Sequence, residues 1–222
     1  MRSPRALEVE WSKIAAQLPG MVFQLKQRPD GTRCVPFASE GIRDIFRIGP
    51  EEVAEDSSLL WSLIHPDDEA WLAESIETSA RTLGRWQCEY RARFPDGAVR
   101  WHWGTALPER AADGTIVWHG FITDITARKL AEQAHEESRT LLQSVFSSVD
   151  LGVFVVEVTM GGEFRYVQVN PAYEKLIGIA SAQLQGRGPR QLVPLISEEM
   201  AEVLRSNFRR GAESTGPIEY EE

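Results

Sequence analysis

Residues 86–129 read WQCEYRARFPDGAVRWHWGTALPERAADGTIVWHGFITDITARK, and their periodicity decides the fold. Trp86, Cys88, Tyr90, Ala92 and Phe94 alternate with Gln87, Glu89, Arg91 and Arg93, the period-two signature of a strand with one buried face. Pro95-Asp96-Gly97 then turns the chain, because proline presets φ and glycine supplies the left-handed residue a short hairpin needs. Val99, Trp101, Trp103, Thr105 and Leu107 alternate in their turn, and Asp113-Gly114 leads into Ile116 to Ile122. Three consecutive strands on short turns predict an antiparallel meander. Taking the apolar series of each strand as core puts Tyr90, Trp101 and Trp103 on the inner face, and His102, out of phase, away from it.

Upstream the period changes. Residues 5–17 read as an amphipathic helix with Leu7, Trp11 and Ile14, joined by Leu18, on one stripe. Residues 21–26 and 33–38 read as strands about the turn Arg28-Pro29-Asp30-Gly31, and Ser39 is placed to cap a short helix bearing Ile42, Ile45 and Phe46. At His65-Pro66-Asp67-Asp68 a second helix starts, with proline at a first helical position and carboxylates at the positive helix end. Leu72, Ile76 and Ala80 continue it on one face. Two strands, short helices and a meander predict an α+β domain: a five-stranded antiparallel sheet with short helices on one face.

The chain also matches itself. An offset of 131 positions places Phe23 on Phe154, Gly31 on Gly162, Ser39 on Asn170 and Ile42 on Tyr173. Identity is low, but apolar and turn positions keep their order, which predicts two copies of one fold. The second copy stops at Ile218-Glu219-Tyr220, where the first begins its meander, so it is expected to be truncated and the chain to be a piece of a longer protein. Between the copies, residues 124–148 read as one helix, with Asp124 or Thr126 at its cap and Leu130, Ala134, Leu141 and Val145 along a seam.

Composition narrows the function classes. A formal charge of -9 over 222 residues argues against nucleic acid or an anionic membrane as partner. The densest basic cluster, Arg205 with Arg209 and Arg210, reads as a solvated helix face among glutamates. The first residues lack the apolar core of a secretory signal, and the longest apolar run, from Val153 to Val156, falls far short of the roughly 18 residues of a membrane span. Cys34 and Cys88 make no disulfide framework and read as free thiols, so a cytoplasmic location is expected. No Gly-x-Ser-x-Gly, Walker-type or His-Glu-x-x-His string is present, which leaves no catalytic centre to assign. His65, His102, His119 and His135 have no acidic or thiol partner at ligand spacing, and no metal site is expected.

The motifs resemble those of the PAS family, in the subgroup whose second half carries a PAC motif. The likeness rests on Ile64-His65-Pro66-Asp67-Asp68, Cys88-Glu89-Tyr90-Arg91, Asp96-Gly97 with Arg100-Trp101, Asp113-Gly114, and the run from Gly120 to Lys129 containing Asp124-Ile125-Thr126. Val169-Asn170-Pro171-Ala172-Tyr173 and Leu176-Ile177-Gly178 carry it in the second copy. The resemblance implies an N-terminal helix over 1–18, a PAS/PAC domain over 19–127, a linker helix over 128–149 and a second, incomplete PAS domain over 150–222.

It also implies a sensory module that relays a ligand, redox or partner state to an output domain, a histidine kinase or, alternatively, a diguanylate cyclase; a ligand-free dimerisation adaptor is the rival reading. Candidate pocket residues are Phe23, Phe37, Ile45, Trp61, Cys88, Tyr90, Trp101 and Trp103, where Trp and Tyr offer polar handles to an apolar or aromatic small molecule. Asp124, Ile125 and Thr126 form the expected relay. The cofactor stays unnamed. Flavin-binding relatives use Gly-x-Asn-Cys-Arg-Phe-Leu, but Pro189 stands in the cysteine's place here, so no cysteinyl–flavin adduct is expected. Haem-binding relatives use a helical histidine, and residues 67–83 and 198–210 contain none. A homodimer through the linker and N-terminal helices completes the expectations.

Overall fold

A computed structural model describes residues 18–213; the helix expected over 5–17 and the segment Ile218-Glu219-Tyr220 lie outside the described residues. The chain divides into two compact units, Met1–Gln133 and Ala134–Glu222.

In the first unit β1 (Met21–Gln27), β2 (Arg33–Ala38), β3 (Trp86–Arg93), β4 (Val99–Arg110) and β5 (Ile116–Asp124) form one antiparallel sheet in the order β2-β1-β5-β4-β3. Helices α1 (Ile42–Phe46), α2 (Ser58–Ser62) and α3 (Pro66–Thr82) lie between β2 and β3 in sequence. Leu72, Ile76 and Ala80 of α3 are buried in a common core with Phe23, Tyr90 and Trp118. The α3 start is built as its sequence predicts, with Pro66 in the first turn and the His65 ring accepting from the Asp67 N–H at 3.3 Å. Asp68 does more than favour the helix dipole. Its buried carboxylate accepts the Arg91 backbone N–H at 2.8 Å, Nε at 3.0 Å and Nη2 at 2.6 Å, tying α3 to β3. Those bonds hold the Asp68 carboxyl below its ordinary range.

The register of the β3–β4 hairpin corrects the phase expected for β4. Gly97 takes φ +83° in a three-residue loop closed by Phe94 N–H to the Ala98 carbonyl at 2.9 Å. Tyr90 therefore pairs with His102, Trp86 with Ala106 and Arg91 with Trp101. Directly opposed residues share a face. The inner face of β4 is thus His102, Gly104 and Ala106, all buried, while Trp101 and Trp103 are half-buried on the outer face. The apolar alternation was real but marked the outer side. Small residues are required inside because the neighbouring rings occupy the space. A Cβ on Gly104 would come within 2.6 Å of the Trp86 ring, and one on Gly120 within 2.7 Å of Phe23.

The second unit repeats the first as far as the described residues go. Strands β6 (Phe154–Val158) and β7 (Phe164–Val169) pair as β1 and β2 do, and α5 (Pro171–Ile177), α6 (Ser181–Leu184) and α7 (Glu198–Glu213) follow in order. The sheet here has two strands. Ser39 and Asn170 carry the same staple. Ser39 N–H donates to the Val22 carbonyl and Val22 N–H to Ser39 Oγ; Asn170 N–H donates to the Val153 carbonyl and Val153 N–H to Asn170 Oδ1. Only Asn170 also caps a helix, accepting from Tyr173 N–H at 2.9 Å. The capping role expected of Ser39 is corrected: its hydroxyl bonds β1, and Gly41, not Ser39, stands at the N-cap of α1 with no side-chain cap. Phe164, Tyr166, Tyr173 and Phe208 centre the second core, with the two tyrosine hydroxyls 2.9 Å apart.

Helix α4 (Thr126–Ser148) follows β5 directly, and its seam residues Leu130, Leu141 and Val145 are 61%, 64% and 51% exposed. No helix among the described residues is long and apolar enough to cross a membrane.

Losing the Asp68 clamp leaves the partly buried Arg91 amide without its acceptor. Asp68→Ala should destabilise the first unit by about 2 kcal/mol in urea denaturation, while Asp67→Ala, at a largely exposed side chain, should change it by a small fraction of that.

Candidate functional site

Between the inner sheet face and helices α2 and α3 lies a cavity of about 70 Å³. β1 supplies Phe23, β3 Tyr90, β5 Trp118, α2 Trp61, and α3 Leu72 and Ile76. The wall is almost wholly apolar, and three of its polar hydrogens are engaged. Trp86 Nε1 donates to Ser75 Oγ at 3.1 Å, Trp118 Nε1 to Ser79 Oγ at 3.0 Å, and Ser57 Oγ to the Arg33 carbonyl at 3.2 Å. The space exceeds that of a single water, and its apolar wall suits a compact apolar molecule, with the Tyr90 hydroxyl and the Trp61 indole on the same wall as polar handles. Burial also pushes the Tyr90 phenol above its ordinary range, so it stays neutral.

Of the eight candidate pocket residues, the structure places Phe23, Trp61 and Tyr90 on this wall. Ile45 is buried in the core but off the wall. Cys88 packs at the core's margin, its Sγ 3.5 Å from Ser75 Oγ, and burial pushes the thiol up. Phe37 is 46% exposed, and Trp101 and Trp103 belong to the outer face, so these three are corrected out of the cavity. Sequence reading missed Trp118, Trp86 and Ala106 as wall residues. Trp118 was findable, since it stands in phase with Ile116 and Ile122 on β5, all three buried.

The placement of His102 is corrected as well. Expected to face away, it is fully buried, edge-on to Phe46 at 4.9 Å and to Tyr90 at 5.7 Å between ring centroids. Across the sheet, β5 sets Asp124 opposite His102 and His119 opposite Leu107. Among the described residues no group of three or more His, Cys, Asp or Glu is placed to hold a metal ion.

At the sheet-to-helix junction the Trp101 peptide is bonded to the helix start on both sides. Its carbonyl accepts Ile125 N–H at 2.8 Å and its N–H donates to Thr126 Oγ1 at 2.9 Å. Asp124 Oδ1 accepts Thr126 N–H at 2.7 Å, and Oδ2 lies 3.5 Å from Arg100 Nη1. The Trp101 ring carries Lys129 Nζ at 5.2 Å and the Arg91 guanidinium at 5.7 Å from its centroid. Lys129 and Arg128 each reach Glu89 at 2.6 Å, which holds that carboxyl below its ordinary range. A tryptophan on the outer face thus joins α3, through Arg91 and Asp68, to the first turn of α4.

Comparison with known proteins agrees with this architecture. A PAS fold family model matches residues 35–122 and a PAS domain family model matches residues 140–211. The chain belongs to the PAS family and carries two such units. Among solved structures it is similar to a sensory box histidine kinase/response regulator from Burkholderia thailandensis, at 22% identity over 64% of this chain and 99% of that one, TM-score 0.44. It is also similar to the N-terminal domain of a diguanylate cyclase with PAS/PAC sensor from Marinobacter aquaeolei, at 16% identity over 49% and 98%, TM-score 0.41. A PAS domain from Colwellia psychrerythraea gives 16% identity over 55% and 98%, TM-score 0.42. No curated protein sequence matches the chain.

The two faces predict opposite costs. Trp118→Ala empties a site that is 1% exposed and should destabilise the first unit by about 3–5 kcal/mol, whereas Trp103→Ala on the outer face should cost less than half as much. Paired thermal or urea melts check the difference, and equal losses would contradict the assigned faces.

Proposed function

We propose that the first unit is a sensor whose packing state is passed through Asp124, Ile125 and Thr126 to helix α4, and from there to an output domain beyond the 222 residues. The observation that carries this reading is the two-sided bonding of the Trp101 peptide to Ile125 and Thr126. A strand that shifts there moves the helix start with it. The apolar cavity supplies the input: a compact apolar molecule that separates α3 from the sheet would act on Asp68 and Arg91, and hence on Trp101. On this reading Trp101 joins the relay, although it lies outside the cavity.

The output is a histidine kinase, with a diguanylate cyclase as the alternative, and the module works in the cytoplasm without nucleic acid or membrane. Two copies associate through the exposed seam of Leu130, Ala134, Leu141 and Val145, since an apolar stripe of this kind is stabilised by a second helix. A ligand-free adaptor would use the same seam but would not respond to filling the cavity.

In the full-length protein, Asp124→Ala with Thr126→Ala should uncouple output from the first unit at a folding cost of about 1 kcal/mol per cap; normal signalling by the double variant would remove the junction from the mechanism. Trp101→Leu should raise amide exchange in the first turn of α4 about three- to tenfold, the worth of a cation–π contact. Sedimentation of the chain over a concentration series should show a dimer that Leu141→Glu dissociates.

A further inference from the structure

His102 has no role in the cavity or in the backbone junction, yet it is one of the most completely buried side chains of the chain. Neither ring nitrogen has a hydrogen-bond partner among the described residues. A buried imidazole in that condition is costly, and such groups call for a physical account. Its surroundings explain why charge cannot be held there. From α1 it meets the Phe46 ring, and from β3 the Tyr90 ring, whose phenol stays neutral. The ionisable side chains of α1 point elsewhere: Arg43 is exposed and pairs with Glu40 and Glu51, Asp44 is exposed, and Arg47, at the end of that helix, pairs with Asp96 at 2.7 Å and lies over Phe94. Arg100, two residues away on its own strand, opposes a positive ring. One anion remains, Asp124 on β5, directly opposite His102 in the sheet. That carboxylate is already committed to Thr126 N–H and to Arg100.

We propose that His102 is an acid-responsive element of the first unit: charging its ring opens the packing of α1 and β3 on β4 and draws Asp124 away from the start of α4. The neutral ring is tolerated in the apolar seam. The imidazolium is not, and its one route to compensation passes through the carboxylate that caps the helix. The element therefore sits on the same junction as the proposed relay and rests in part on that reading, although its titration does not.

The sign and the window follow from proton binding. Desolvation lowers the His102 pKa from 6.5 to about 4, with Asp124 opposing and Arg100 reinforcing the shift. Between these values the open state binds more protons than the closed one. Stability from this group is fully present above about pH 6.5, falls as pH drops, and is lost by about pH 4. The difference amounts to about a 300-fold increase in the opening equilibrium across the window.

Three measurements on the 222-residue chain test the proposal. Imidazole nitrogen shifts followed by NMR should show His102 neutral through pH 5; titration near 6.5 in the folded state would overturn it. Urea denaturation from pH 7 to 4.5 should show the wild type losing more stability than His102→Leu, with the neighbouring carboxylates cancelling in the difference. Parallel curves would overturn it, and should the leucine variant not fold, His102→Met serves the same comparison. Protection of the Thr126 and Ala127 amides, taken relative to their intrinsic exchange rates at each pH, should fall with acid in the wild type well beyond its fall in the variant. If His102 titrates low and the stability difference appears while those amides stay unchanged, the link to α4 falls. If the acid response appears in full but output in the parent protein ignores Asp124 and Thr126, it is the relay that fails and the element that stands.

Discussion

The pairing of β3 with β4 is the constraint on which the rest of the first unit depends. Once Gly97 closes the three-residue loop, every residue of β4 is assigned a face by its partner on β3. Tyr90 on the cavity wall obliges His102 to be inside, and Arg91 on the outside obliges Trp101 to join it. A slip of one residue would bring Trp101 and Trp103 into a space that Trp86 and Trp118 already fill, and would expel the two small residues that make room for them. The buried histidine and the outward tryptophan are two consequences of one register.

Much of this was legible in the sequence. Strand and helix positions followed from period and turn chemistry, and the start of α3 was readable from His65-Pro66-Asp67-Asp68 because proline and an N-terminal acceptor have local causes. The offset of 131 positions was informative to the level of single bonds, since Ser39 and Asn170 staple equivalent strands in the two units. What stayed hidden depended on partners distant in sequence. The Ser39 hydroxyl bonds Val22 while Gly41 takes the N-cap of α1, and no local pattern reveals that the cap falls two residues later than Ser39.

The candidate site was legible only in part for a related reason. Alternation in β4 identifies two faces but does not say which is covered, and here the aromatic series is sheltered by charged side chains rather than by core. Lys129 and Arg91 shield Trp101 as aliphatic stems and cations over an indole, a form of shelter that binary patterning does not separate from a core. Cys88 and Ile45 were placed near the core correctly in phase, but the cavity wall passes them by. Its boundary is set by Trp86 and Trp118, whose indole N–H groups are anchored on the serines of α3.

The fit of Trp86 over Gly104 has an evolutionary corollary. Bulk at that point of the wall belongs to the pair of positions, not to either one, so a smaller residue at 86 and a larger one at 104 would redraw the cavity without moving a strand. Bulk added at 104 alone would run into the Trp86 ring, so the two positions are coupled. Lineages that descend from such a unit can therefore change what the cavity admits while keeping the hairpin, the loop at Gly97 and the helix junction intact, which uncouples the history of recognition from the history of the scaffold.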